Sequence, residues 1–139
     1  MCSFRLFFQK GELKMTIEQV LAKVDEMKPN MMSRSAKIGF INEIESIIHD
    51  EIVMTHEHTA EQETPPDYDN DTDGTTALIM GSADGMLYVY WVISKIDQQN
   101  MEYDKFNNDY SLFQHAYDEA SDRWTRHNMP ISRVRELSI

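Results

Sequence analysis

The segment Met86-Leu87-Tyr88-Val89-Tyr90-Trp91-Val92-Ile93 is apolar almost all the way round at helical spacing. A helix of that kind has no solvent stripe, so it is either the centre of its fold or is covered on its second face by a neighbouring subunit. Ser82 or Asp84 stands where a cap is needed, and Asn100 can supply a left-handed end. From near Tyr103, Phe106, Tyr110, Phe113, Tyr117, Ala120 and Trp124 recur at alternating four- and three-residue steps. That two-turn repeat suits antiparallel packing on the preceding helix, and Asn128-Met129-Pro130 stops it. The pair therefore predicts a helical hairpin.

Upstream, Thr16-Ile17-Glu18-Gln19 reads as a capping box of the T-x-x-Q form. Val20, Leu21, Val24 and Met27 give the helix that follows one apolar stripe, ended by Lys28-Pro29-Asn30, so it spans roughly 16 to 27. Ser33 or Ser35 caps a second helix, roughly 34 to 54, on which Ile38, Ile41, Ile44, Ile48 and Ile52 share a face widened by Phe40 and Ile47. Gly39 inside it signals either a close helix crossing or mere tolerance, at a cost of about 1 kcal/mol relative to Ala.

Between the two helix pairs the period vanishes. Residues 56 to 76 read as a loop carrying Glu57, Glu61, Glu63, Asp67, Asp69, Asp71 and Asp73 with no Lys or Arg, followed by an apolar Thr76–Met80 that is a short strand or an extended anchor. A connection that long in a compact domain is more often functional than incidental. The chain has 139 residues, enough for one domain, and its formal charge of −11 opposes sequence-independent binding to nucleic acid. A single Cys2 excludes an internal disulfide or a cysteine-based zinc site, and no apolar run approaches the ~18 residues that span a bilayer. Lys10-Gly11-Glu12 can be encoded AAAGGAGAA, a ribosome-binding sequence placed shortly before Met15. Met15 is therefore expected to be the native start, with residues 1 to 14 a translated leader or arm, 15 to 130 the helical domain and 131 to 139 a tail.

Asp69-Asn70-Asp71-Thr72-Asp73-Gly74 matches the first half of a calcium loop, with oxygen donors at alternating positions and glycine at the sixth. The twelfth position, which should supply a bidentate Glu, is Met80, so no metal ligand is assigned beyond the weak candidates Asp69, Asp71 and Asp73. His49, His56 and His58 lack the spacing of a zinc motif and read as surface histidines near a helix end, as do His115 and His127 on or just beyond the aromatic helix. No phosphate loop, nucleophile elbow or Ser/His/Asp spacing occurs, so neither a catalytic residue nor a cofactor is assigned.

Three stretches resemble the small helical head–tail connector (adaptor) proteins of long-tailed phages and prophages of Gram-positive bacteria. They are Met15-Thr16-Ile17-Glu18-Gln19-Val20 to Lys28-Pro29-Asn30, the acidic Pro66 to Asp73 before an apolar anchor, and Glu102-Tyr103-Asp104-Lys105-Phe106-Asn107-Asn108-Asp109-Tyr110 through Trp124 to Pro130. The resemblance implies an all-α fold, a small four-helix bundle with a long acidic loop between its second and third helices and an extended C-terminal tail. It implies a structural virion protein without catalytic activity, a homo-oligomeric and usually dodecameric ring bound to the portal protein. That ring extends the DNA channel toward the next head-completion or tail-interface protein, with genomic DNA passing through unbound and no membrane involved. Its location would be the head–tail interface of the virion, and the host cytoplasm during assembly. In such a protein the seven acids from Glu57 to Asp73 face the channel or the next ring, since a negative lining repels phosphates. Ile131, Arg133, Val134, Arg135 and Leu137 are expected to form the portal-binding tail. The competing expectation is a calcium- or partner-regulated helical binding module, and an acidic DNA mimic is a third.

Overall fold

The computed structural model describes residues 14 to 131. Its elements are β1 (Lys14–Thr16), α1 (Ile17–Met27), α2 (Arg34–Ile48), β2 (Ala77–Gly81), α3 (Met86–Gln99) and α4 (Tyr103–His127). The described residues are thus mostly helical, and the all-α expectation is corrected by a small antiparallel sheet in which Lys14 faces Gly81 and Thr16 faces Ala77. A strand of three residues is too short to show a two-residue period, which is why it escapes a pattern reading. Lys14, assigned with the leader, is the first residue of β1. The remainder of that leader, residues 1 to 13, lies outside the described residues.

Each helix starts for an identifiable reason. Thr16 and Gln19 form the expected reciprocal box, each side chain accepting the other's backbone N–H at 3.2 and 3.0 Å. Ser33 caps α2 through the Ala36 N–H. At α3 the expectation fails: its N-cap is Gly85, with no side-chain cap, and Asp84 instead receives Arg123 Nε of α4 at 3.2 Å on both oxygens. The left-handed residue after α3 is Met101, φ 61°, not Asn100. There Met101 N–H bonds Gln98 C=O and Glu102 N–H bonds Asp97 C=O, the two hydrogen bonds of a Schellman turn. Beyond Ile48, α2 widens into a π turn over His49–Val53. A Cβ added at Gly39 would meet nothing within 4 Å, so this glycine marks no close crossing.

α3 packs against α1, α2 and α4. Leu87, Tyr88, Val89, Val92 and Ile96 are fully buried, together with Ile17, Val20 and Val24 of α1 and Ile38, Ile41, Ile44 and Ile48 of α2. Of the two readings of the apolar segment, the central helix is the one the fold adopts, and its cover comes from its own chain. α4 is different in kind. It packs along α3 as the expected hairpin, but only Phe113 and Ala120 are buried, and Phe106, Tyr110, Tyr117 and Trp124 are half-exposed. Ring centroids 5.5, 5.6 and 5.7 Å apart run from Phe106 through Tyr110 and Phe113 to Tyr117, and Trp91 meets Phe113 at 5.0 Å.

Candidate functional site

The acidic connection is a strap fastened to α2. His49 Nε2 lies 2.7 Å from the Gln62 carbonyl. Asn42 holds the Tyr68 backbone from both sides, accepting its N–H at 2.8 Å and donating to its carbonyl. Arg34 donates to the Asn70 carbonyl at 2.9 Å and lies 3.6 Å from Glu18. The strap then closes on the start of α1, where the Gly74 and Thr76 carbonyls accept the Glu18 and Ile17 N–H groups at 2.9 and 3.2 Å. Those are donors that a helix N-terminus leaves without intrahelical partners. Gly74 suits this close approach, because a Cβ there would press on the Glu18 side chain.

Glu45 is the deepest fastening. It is fully buried on the isoleucine face of α2, where Oε2 accepts from the Tyr68 hydroxyl at 2.9 Å and the Ile79 N–H at 3.0 Å, and Oε1 accepts from the Tyr88 hydroxyl at 2.6 Å. One carboxylate thereby ties α2 to the strap, to β2 and to α3. Burial raises its pKa against the opposing pull of these donors, and burial next to Glu45 raises both tyrosines.

With the anchors turned inward, Glu57, Glu61, Glu63, Asp67, Asp69, Asp71 and Asp73 are all exposed. The structure aligns them on one solvent-facing strap without bringing them to a common point. Asp69 Oδ1 accepts the Asp71 N–H at 2.9 Å and Asp73 Oδ1 accepts the Thr75 N–H at 2.9 Å. The Thr75 bonds lower the Asp73 pKa, and both carboxylates are turned onto their own loop. Among the described residues no three His, Cys, Asp or Glu side chains gather as a metal site.

The histidine expectation is corrected in part. His49 and His56 are buried. His56 Nδ1 donates to the Ile52 carbonyl at 2.7 Å, and its Nε2 meets Thr125 Oγ1 at 2.9 Å, clamping the end of α2 to the end of α4. His115 and His127 are exposed, as read. Of the tail residues, Ile131 is described, its N–H donating to Thr55 C=O at 3.0 Å. Arg133, Val134, Arg135 and Leu137 lie outside the described residues.

No family model, curated protein or solved structure matches the chain. Among the described residues no helix is long and apolar enough to cross a membrane. The residues missed by sequence reasoning are Asn42, Glu45 and Tyr68. The signal for Glu45 was present, since it lies four residues after Ile41 and seven after Ile38, on the apolar face itself.

Proposed function

We propose that the protein is a structural subunit of a phage head–tail connector, a four-helix bundle that assembles as a ring on the portal and extends the DNA channel toward the tail. Beside the sequence resemblance, one observation carries this reading: the two ends of the subunit differ. At one end Lys28 Nζ joins Glu102 Oε1 at 2.8 Å, drawing the α1–α2 and α3–α4 connections together. Met27, Met31, Met101 and Tyr103 stand exposed there, Met31 completely. Large apolar side chains gathered at one end of a subunit mark an association surface, and methionine adapts to more than one neighbour. About 36 Å away along α4, Met129 is the one large apolar side chain left exposed at that end among the described residues, and the basic residues Arg133 and Arg135 follow in the sequence. Because α3 is covered by its own chain, lateral contacts fall to the methionine end and the outer face of α4. The exposed acids of the strap supply the surface that DNA phosphates slide past.

Mass photometry of the full chain, alone and with the portal protein encoded beside it, tests this. Ring-sized particles with portal, lost in a Met31→Asp/Met101→Asp variant of unchanged circular dichroism, are expected. A monomer under every condition refutes the reading.

A further inference from the structure

Two cations face three carboxylates where the α1–α2 connection meets the start of α4. Lys28 Nζ lies 2.8 Å from Oδ1 of Asp97, in the last turn of α3, and 2.8 Å from Oε1 of Glu102. Lys105 Nζ takes the other Glu102 oxygen at 3.0 Å. Asp109 is the acid left over. It has no ion-pair partner among the described residues, although it lines one open cavity of about 500 Å³ with Met27, Lys28, Glu102 and Lys105. Asp97, whose charge acts on it, is fully buried, and no well-aligned hydrogen bond reaches either Asp97 oxygen among the described residues. A half-buried cluster with one negative charge in excess is balanced by a proton, and the acid without a cation holds it most firmly.

We infer that Asp109 is a proton switch for the methionine end of the subunit, which is drawn together when this carboxyl is protonated and loosened when it is ionised. The charged groups that face Asp109 are Asp97 from α3, Lys28 from the α1–α2 connection and Lys105 on its own helix, with Glu102 held by both lysines. With the proton in place, Lys28 and Lys105 offset Asp97 and Glu102 charge for charge. The Asp109 O–H is then a donor beside a buried carboxylate that lacks one. Loss of the proton sets a second negative charge against Asp97, and Lys28, already on Asp97, is drawn toward the pair and away from Glu102. Burial and the charge of Asp97 push the Asp109 carboxyl up to about 7, so both states are populated near neutral pH. Among the described residues no histidine lines the cavity, so no imidazole shares this titration there.

The Lys28–Glu102 bridge carries the change to the surface. Lys28 directly follows Met27, and Glu102 directly follows Met101 in its left-handed turn. The bridge therefore fixes two exposed methionines relative to each other. Parting it lets Met27 move with the α1–α2 connection and Met101 with the α3–α4 connection. A consequence for assembly rests on the connector reading: contacts made through this end should strengthen as pH falls through about 7 and weaken as it rises.

The test uses the full chain with carbon-13 in its methionine methyl groups, followed by nuclear magnetic resonance from about pH 5 to about pH 9. The Met27 and Met101 signals are expected to shift together with a midpoint near 7, while that of the buried Met80 stays still. Asp109→Asn, which keeps a donor and cannot ionise, should hold both signals at their acid positions throughout. Asp104→Asn removes an exposed acid outside the cavity and should leave the titration as it is. Signals that do not move over that range, or that titrate alike in Asp109→Asn, overturn the inference. Sedimentation of the same samples separates it from the connector reading. Titrating methyls in a chain that stays monomeric at every pH, with portal and without, uphold the switch and refute the association surface, whereas rings that weaken with rising pH and persist in Asp109→Asn uphold both.

Discussion

Glu45 and Asp97 are both fully buried carboxylates, and the chain treats them in opposite ways. Glu45 faces two tyrosine hydroxyls and one backbone N–H and has no cation within hydrogen-bonding reach among the described residues. Asp97, in the last turn of α3, has Lys28 Nζ 2.8 Å from Oδ1, yet no well-aligned hydrogen bond reaches either of its oxygens among the described residues. It is also approached by Asp109 of α4, whose carboxyl is pushed up to about 7 by burial and then by the closeness and negative charge of Asp97. A carboxylate saturated by neutral donors works as a fixed joint. At Asp97 a cation and a second acid meet instead, and the pH response falls on that second acid, Asp109, whose carboxyl pKa is raised.

The sharpest way to break the contrast is Glu45→Ala. It strands the Tyr68 and Tyr88 hydroxyls and the Ile79 N–H, so a loss of about 3–5 kcal/mol is expected in urea unfolding, with the strap becoming protease-sensitive first. A loss below about 1 kcal/mol would show that the joint is ornamental. Lys28→Met should cost about 3 kcal/mol above neutral pH by leaving Asp97 beside Asp109 without its cation, and the loss should shrink on acidification as Asp109 takes up its proton.

Asp109→Asn isolates the titration itself. A carboxyl raised from 3.8 to about 7 stays protonated in the fold where the free chain is ionised. Its stabilising contribution is therefore complete below 3.8 and lost as pH rises through about 7. The unsubstituted chain should show a Tm that falls across that window, and Asp109→Asn should flatten the slope. Glu102 works the other way: Lys28 first and Lys105 next hold it down at about 2, so its contribution is present above 4.5 and disappears as pH falls through about 2. The smallest effect belongs to the turn that delivers Glu102 to Lys28. Met101→Gly removes a side chain from a left-handed position and should stabilise by about 1 kcal/mol, read as a rise in the urea midpoint.

Much of this framework was legible beforehand. Thr16 with Gln19, the isoleucine stripe, the apolar run from Met86 to Ile93 and the Pro29 and Pro130 stops each act within a few residues, and the helices form close to where those signals place them. Failures cluster where a local signal was outbid. Asp84 prefers Arg123 to a capping role, and Met101 takes the left-handed turn because the chain must reverse where Glu102 can meet Lys28. The acids of the strap were read correctly as exposed side chains on a long connection, but its fastening was not read, because Asn42 and Glu45 were hidden among isoleucines.

The sequence by itself determined the helices, their apolar faces and the uneven spread of charge, since these depend on caps, period and composition over short spans. Only the tertiary structure decided that α3 is covered by its own chain and that β1 pairs with β2. It also decided that the strap lies along α2 and that Asp97 meets both Lys28 and Asp109. Those contacts join residues a dozen or more positions apart, and their worth comes from burial, which no local pattern specifies until the helices have packed.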